Sequence, residues 1–197
     1  MRNTALFVMD VQPPYLNAVT PIEYTDMPAM LRTINEAIDK ANHHNIVVVY
    51  VVTQNSGGDW WKKWRYYMDA TEGRIMLDPR LKIINDMVFT KRRSSAFSND
   101  RLAVFIRECK IHHIIVVGLL AETTISSTAL QAKKKGFHVT IVEDAIAGTD
   151  ADKKQSVCTY LAGEGIIVRK LCHVFSMESS LSYEKNDTTL NKLKKYD

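Results

Sequence analysis

The chain has 197 residues, enough for one ordinary domain, and its content of 46% hydrophobic and 24% charged residues is typical of a globular protein. A formal net charge of +4, from 26 basic and 22 acidic residues, is too small to indicate nucleic-acid binding. Cys109, Cys158 and Cys172 lack CxxC spacing, which argues against a disulfide framework or zinc knuckle and is typical of a reducing compartment. With no recognisable signal peptide or membrane-spanning run, we expect a cytoplasmic protein without membrane contacts.

Six short apolar runs, rich in β-branched residues, predict strands along the chain. Most of them are near-continuous rather than alternating, which is typical of strands covered on both faces. They span residues 4–11, 45–53, 86–91, 111–119, 138–145 and 166–171.

Between these runs lie helical patterns, in which apolar residues recur at intervals of three and four. They span residues 30–41, 102–109, 125–132 and 157–161. One of Ser98, Asn99 and Asp100 is expected to cap the second helix, and Gly136 stands where a left-handed C-terminal residue is expected. The alternation predicts a three-layer α/β/α fold around a doubly wound, mostly parallel six-stranded sheet of the Rossmann type. We expect residues 1–184 to form this domain and residues 185–197 to be a C-terminal tail.

Residues 54–81 interrupt the alternation with a long segment that has no clean period. The segment carries several aromatic residues, including Trp60 and Trp64, among Lys62, Lys63 and Arg65. A connection of this length is usually a lid, a binding loop or a subunit contact. Stacking on nucleic acid is the alternative for a mixture of basic and aromatic residues, and the weak overall charge disfavours it.

Polar residues follow three of the predicted strands, at the edge where an open parallel sheet binds its ligands. Asp10 ends the first run, and a charge there must be paired or functional. Lys91 ends the third run and is a plausible partner for Asp10. Thr123 or Thr124 opens the helix after the fourth run, where free N–H groups can hold an oxyanion. The sequence therefore predicts a site at this edge.

Four short motifs follow one another along the chain, each at the boundary of a predicted element. They are Asp10-Val11-Gln12; Lys91 followed by Ser95-Ala96-Phe97; the stretch from Gly118 to Ala129; and Gly136-Phe137 followed by Glu143-Asp144-Ala145. In this order and spacing they resemble the isochorismatase-like cysteine hydrolase family, which includes nicotinamidases, carbamoyl-amide hydrolases and isochorismatases. The resemblance covers nearly the whole chain and implies the same α/β fold.

The resemblance implies that Asp10 is a base, that Lys91 supports it, and that a nucleophilic cysteine follows the fourth strand. Thr124 stands where most members of the family have that cysteine. A hydroxyl is a weak nucleophile at neutral pH unless a base activates it, so ordinary amidase chemistry is not expected. Nicotinamidases of the family bind zinc through a histidine-containing turn after the second strand, and this chain has no histidine in that stretch. We therefore expect no metal and no cofactor.

Two functions remain open at this stage. In the first, the protein hydrolyses a small molecule without a covalent intermediate, as isochorismatases cleave a vinyl ether, and Asp10 donates the proton that Lys91 orients. Thr124 then donates a hydrogen bond to substrate or water, and a small amide is the other substrate class. In the second, the protein is an inactive member that binds a small molecule or a protein. Keeping both Asp10 and Lys91 favours activity, because an idle buried pair has desolvation costs.

The resemblance also suggests which residues surround the substrate, and a homo-oligomer, dimer or tetramer. Gln12, Leu120 and Ala121 are candidate substrate-binding residues, together with Trp60 and Trp64 of the long segment, and Arg92 or Arg93 can hold an anionic group. Family members frequently have a non-proline cis peptide in this turn, which the resemblance places near Leu120 and Ala121.

Each candidate residue also has a purely structural interpretation. Asp10 can cap the turn after its strand, Lys91 can be a solvated strand end, and Thr124 can cap its helix. Ser95-Ala96-Phe97 is expected to serve packing, and Glu122 to favour the helix dipole. The three cysteines are interpreted as buried small hydrophobic residues, and the pairs His43-His44 and His112-His113 as surface or capping residues.

Overall fold

The structure, a computed structural model, describes residues 3–16, 27–54 and 77–175. In these ranges six strands form one sheet, in the order β3-β2-β1-β4-β5-β6. The strands are β1 (Thr4–Met9), β2 (Val47–Thr53), β3 (Val88–Lys91), β4 (His113–Leu119), β5 (His138–Ala147) and β6 (Ile167–Arg169). Every neighbouring pair is parallel, so the predicted α/β fold with a doubly wound six-stranded sheet is confirmed.

Helices cover both faces of this sheet. They are α1 (Pro13–Leu16), α2 (Met27–His43), α3 (Asp100–Glu108), α4 (Ser126–Lys134), α5 (Ala151–Gly163) and α6 (Leu171–Val174). A 3-10 turn, Ala96–Ser98, precedes α3, and a π-helical turn, Ala121–Ile125, precedes α4. The third predicted helix pattern, 125–132, therefore begins in this π-helical turn. Asn99 is the residue that caps α3, since its side chain accepts hydrogen bonds from the N–H groups of Arg101 and Leu102.

The core is divided by the sheet into two apolar clusters, because side chains of a strand alternate between its faces. On β1, Phe7 and Met9 face the cluster that contains residues of α3, α4 and α5, whereas Leu6 and Val8 face the cluster built on α2 and α6. All six residues of β1 are buried, as are six of the seven in β2. The near-continuous apolar runs in the sequence thus reflect strands covered on both faces.

Two of the three cysteines are not buried, which corrects the sequence interpretation. Cys158 lies on the inner face of α5, and burial raises the pKa of its thiol. Cys109 and Cys172 are exposed. Cys109 is the residue at which α3 ends, past the buried Leu102 and Ile106, and Cys172 lies in the one-turn helix α6, whose buried residues are Leu171 and Val174.

The long segment after β2 is described only at its two ends. Trp60 and Trp64, with Lys62, Lys63 and Arg65, lie outside the described residues, as does the tail at 185–197. Where the chain returns, Asp78 is buried, and its N–H donates to the carbonyl of Val11 at 2.9 Å. Burial opposes ionisation of Asp78, but the side chain and N–H of Arg80 donate to it and together lower its pKa below the usual range. This returning chain is therefore fixed beside the end of β1.

In the described ranges no helix is long and apolar enough to cross a membrane.

One histidine of the two adjacent pairs departs from the predicted surface role. His113 begins β4, is half-buried, and its Nε2 lies 2.9 Å from Oγ1 of Thr140. His138 is its neighbour across the sheet. Burial, with a smaller contribution from charge on His138, lowers the pKa of His113 below its usual range. The fold therefore favours a neutral imidazole at this position.

This lowered pKa predicts a loss of stability in mild acid. Below the ordinary histidine pKa of about 6.5, His113 becomes protonated in the unfolded chain but stays neutral in the folded chain until the pH reaches its lowered pKa. The free energy of unfolding should therefore fall as the pH drops below this value, and the contribution should level off once the pH passes the folded pKa of His113. Urea titrations between pH 7.5 and 5 should show a smaller fall for His113→Asn than for the parent.

The matched control for this prediction is His112→Asn, which replaces the exposed neighbouring histidine. Equal slopes of stability against pH in the parent and in His113→Asn would contradict the prediction.

Candidate active site

Four polar side chains meet at the carboxyl ends of four adjacent strands. Asp10 follows β1, Thr53 ends β2, Lys91 ends β3, and Thr124 lies in the π-helical turn that follows β4. Because the sheet order runs β3-β2-β1-β4, these strand ends are neighbours. The sheet order reverses direction between β1 and β4, which is where open α/β sheets usually bind ligands.

Asp10 and Lys91 form the predicted ion pair. Nζ of Lys91 lies 2.9 Å from Oδ2 of Asp10, and each side chain is only 2% exposed. The interpretation of Lys91 as a solvated strand end is therefore wrong. Asp10 does lie in a turn, with a φ of 50° and with its carbonyl accepting from the N–H of Gln12, but its carboxylate faces Lys91 and two threonines.

Two threonine hydroxyls bridge this ion pair. Thr124 accepts from Nζ of Lys91 at 3.3 Å and donates to Oδ2 of Asp10 at 2.9 Å. Thr53 accepts from the same Nζ at 2.6 Å and donates to Oδ1 of Asp10 at 2.9 Å. An ammonium has three protons to donate, and here Asp10, Thr53 and Thr124 take all of them. We call these four residues the polar ring.

In the polar ring, Asp10 acts only as an acceptor, through both carboxylate oxygens. Each hydroxyl has a single proton, so Thr124 cannot donate to a substrate without breaking its bond to Asp10. The hydroxyl retains one lone pair that can accept. This differs from the expectation that Thr124 donates to the substrate, because at the sequence level its partner could not be known.

Thr53 was not recognised as a site residue from the sequence. It closes an apolar run in which a threonine is an ordinary β-former. The signal that would have found it is register, since Thr53 and Lys91 are paired across β2 and β3 and therefore point to the same side of the sheet.

Thr124 is held in place by an irregular turn. The peptide between Leu119 and Leu120 is cis, one bond earlier than the resemblance suggested. The N–H of Ile125 then donates to the carbonyl of Leu120 at 3.0 Å. Among the described residues no side chain caps this turn, and the hydroxyl of Thr124 donates to Asp10, so the capping interpretation of Thr124 is wrong.

The remaining predicted ligand-contacting residues differ in what they can offer. Gln12 is fully buried, and its Oε1 accepts from the N–H of Thr53 at 2.9 Å, while its Nε2 has no partner among the described residues. Ala121 is also fully buried, in the cluster that contains residues of α3, α4 and α5, and half-buried Leu120 packs against the α2 side of the core. Arg92 and Arg93 are exposed beside the site.

Two further groups support the turn around Thr124. Glu122 accepts through Oε1 from the N–H of Thr149 at 2.7 Å, which joins this turn to the loop before α5. Ala96 and Phe97 are buried, and the N–H of Ala96 donates to Thr128 of α4 at 3.1 Å. The motif Ser95-Ala96-Phe97 therefore serves packing, and Glu122 acts through its hydrogen bond.

Within the described ranges, no group of three or more His, Cys, Asp or Glu side chains could hold a metal ion.

The chain resembles several curated proteins over about three quarters of its length or more. It is 23% identical to a secreted isochorismatase effector of Verticillium dahliae over 76% of this chain and 75% of that protein. It is 22% identical to an isochorismatase family protein of Dictyostelium discoideum over 85% of this chain and 78% of that protein. A probable inactive nicotinamidase of Arabidopsis thaliana is 23% identical over 74% of this chain and 81% of its own.

Solved structures share the fold at similarly low sequence identity. An isochorismatase family protein of Desulfovibrio vulgaris superposes with a TM-score of 0.74 at 21% identity, covering 92% of this chain and all of its own. The nicotinamidase of Staphylococcus aureus gives a TM-score of 0.64 at 16% identity, covering 86% of this chain and all of its own. The model of the isochorismatase domain matches residues 4–171, and the chain therefore belongs to the isochorismatase family.

Proposed function

We propose that this protein hydrolyses a small molecule without forming a covalent intermediate, and that Asp10, Lys91 and Thr124 are its catalytic residues. The observation that carries the proposal is the pair of contacts at the Thr124 hydroxyl, which donates to Asp10 at 2.9 Å and accepts from Lys91 at 3.3 Å. A buried carboxylate, an ammonium and a hydroxyl in mutual contact can move protons at a substrate.

Thr124, on this proposal, occupies the position of the nucleophilic cysteine in other members of the family. Its place in the turn after β4, within hydrogen-bonding distance of Asp10 and Lys91, supports the correspondence. A thiol of ordinary pKa is a few per cent thiolate at neutral pH, whereas a hydroxyl needs a base at the moment of attack. Water activated by Asp10 is then the simpler nucleophile, and it needs no acyl-enzyme.

The contacts of Asp10 favour a role as base over the role of proton donor. Both of its oxygens accept hydrogen bonds, and Lys91 supplies a positive charge at 2.9 Å. Taking a proton from water that attacks a small amide fits this arrangement directly. Cleavage of a vinyl ether, as in isochorismate, requires Asp10 to be protonated first, because the double bond must receive a proton.

Gln12 is the substrate-binding residue that this proposal favours most. Its Oε1 must face the Thr53 N–H, which can only donate, so the orientation of the amide is fixed. Its Nε2 is then a buried donor in need of an acceptor. A carbonyl or carboxylate oxygen of the substrate would satisfy it.

The alternative function is binding without turnover. The polar ring satisfies all three protons of Lys91 internally, and such a closed arrangement is also compatible with a site that has lost its reaction. One relative is a probable inactive nicotinamidase, which keeps this alternative open. Against it stands the cost of burying Asp10 and Lys91, which an apolar pair of the same volume would avoid.

A turnover assay distinguishes these functions. The purified parent should hydrolyse a member of a panel that contains isochorismate, nicotinamide and other small amides. Asp10→Asn should lower kcat/KM by at least about 100-fold, the usual contribution of a general acid or base. The matched control is Asp152→Asn, which changes an exposed carboxylate at the start of α5 and should leave kcat/KM unchanged.

A variant at Thr124 separates the remaining outcomes. If the parent hydrolyses no compound of the panel and only Thr124→Cys hydrolyses amides, the site has kept its shape and the native protein binds without turnover. Parent activity that survives Asp10→Asn would contradict the assignment of Asp10.

A further inference from the structure

We propose that Thr53 is a positioning residue of this site, which fixes the relative placement of Asp10 and Lys91 through its hydroxyl and of Gln12 through its N–H. The role rests on the proposed function of the polar ring. Thr53 is assigned no contact with the substrate. It acts through Asp10 and Lys91, which the proposed function uses for proton transfer, and through Gln12, which it uses for substrate binding.

Register places Thr53 between its two charged partners. It is paired with Lys91 across β2 and β3, and Asp10 donates its backbone N–H to the carbonyl of Val51, two residues earlier on β2. The side chain of the last residue of β2 therefore lies between Lys91 at the end of β3 and Asp10 after β1. The described contacts of Thr53 agree, since its hydroxyl lies 2.6 Å from Nζ of Lys91 and 2.9 Å from Oδ1 of Asp10.

The Thr53 hydroxyl determines how the carboxylate of Asp10 is turned. Oδ2 of Asp10 receives both Thr124 and Lys91, whereas among the described residues Oδ1 receives Thr53 alone. Without that donor, only the contacts to Oδ2 restrict rotation of the carboxylate. The hydrogen bond to the Thr53 hydroxyl is also the shortest of the contacts made by Lys91. Loss of this hydroxyl therefore leaves the ammonium less firmly held as well.

The backbone of Thr53 performs a second task. Its N–H holds Oε1 of Gln12 at 2.9 Å and so determines that Nε2 is the free end of that amide. A change of side chain leaves this N–H in place. Substitutions at position 53 therefore test the effect on Asp10 and Lys91 without removing the bond to Gln12.

A thiol introduced by Thr124→Cys provides a reporter that needs no native turnover. It would stand beside Asp10 and Lys91, so the pH dependence of its alkylation by iodoacetamide reports the charges that surround it. Mass spectrometry of the peptide that carries position 124 separates this thiol from the exposed Cys109 and Cys172. Into this background we would introduce Thr53→Val, Thr53→Ala and Thr53→Ser.

We expect the alkylation midpoint to shift by about one pH unit in Thr53→Val and Thr53→Ala, and to stay near the parent value in Thr53→Ser. The reason is that Asp10 loses the hydroxyl donor on Oδ1 and Lys91 loses its shortest contact, so both charges beside the thiol change their positions relative to it. The alanine variant cannot overpack the site and so serves if valine disturbs the fold. Midpoints of the hydroxyl-free variants that coincide with that of Thr53→Ser would overturn the proposal.

The same substitutions in the native background separate this inference from the proposed function. If the parent turns over a substrate, Thr53→Val should lower kcat about tenfold or more with little change in KM, because positioning matters most in the transition state. A KM effect alone would count against positioning. A parent protein that turns over no substrate would contradict the proposed function, and the alkylation of Thr124→Cys would still test the role of Thr53.

Discussion

Replacing Lys91 by methionine is expected to lower the free energy of unfolding by about 3–5 kcal/mol at neutral pH, the usual cost of removing one partner of a buried ion pair. Methionine matches the length and apolar stem of lysine, so packing is largely kept. Asp10, however, is only 2% exposed and would lose its cationic partner, keeping hydrogen bonds from two threonine hydroxyls among the described residues. Urea unfolding followed by circular dichroism would measure this loss.

The matched control for Lys91→Met is the double variant with Asp10→Asn. Removing both charges leaves neutral groups in the same volume, and much of the lost stability should return. The difference between the single and double variants then reports the uncompensated charge and not the packing. If the double variant is as unstable as Lys91→Met alone, the loss does not arise from Asp10 and the prediction is wrong.

Replacing Gly118 by alanine is expected to be at least as damaging. Gly118 lies in β4 with a φ of 113°, and a Cβ at this position would stand 2.1 Å from the backbone carbonyl oxygen of Met9 on β1. Because both strands are central in the sheet, neither backbone can move away. The strained dihedral and the overpacking together should cost about 3 kcal/mol or more. Met9 directly precedes Asp10, so we also expect the polar ring to be displaced.

Gly136→Ala is the control for this second prediction. Gly136 has a φ of 88°, but nothing lies within 4 Å of a Cβ placed there. This variant therefore bears the cost of the dihedral alone, about 1–2 kcal/mol. Thermal or urea unfolding of both variants should show Gly118→Ala to be clearly less stable. Equal losses would show that the contact with Met9 relaxes easily.

Much of the fold was predictable because its physical causes are local. Runs such as the one ending in Asp10 are apolar on both faces, which only strands inside a covered parallel sheet require. Caps and glycines marked where helices begin and end, and Asn99 and Gly136 stand where such residues were expected. The location of the site could be predicted in the same way, because the carboxyl ends of parallel strands meet at one edge of the sheet.

The parts that could not be predicted depend on contacts between distant residues. Thr53 looks like any other strand residue until its pairing with Lys91 is known. The partners of Thr124 decide between a helix cap and a site residue, and they lie on other strands. Likewise, the burial of His113 and the exposure of Cys109 depend on what the neighbouring elements cover, which residue type alone does not indicate.

The polar ring has a consequence for how the protein folds. Asp10 and Thr124 are separated by 114 positions along the chain, and Lys91 lies 38 positions from Thr53. Contacts of such long range require large loops to close before they yield any stabilisation, and folds that depend on them fold slowly. The ring cannot form in a nascent chain until β4 has left the ribosome and joined β1. Until then Asp10 and Lys91 lack the hydroxyl of Thr124, one of the groups that satisfy their hydrogen bonds in the folded protein.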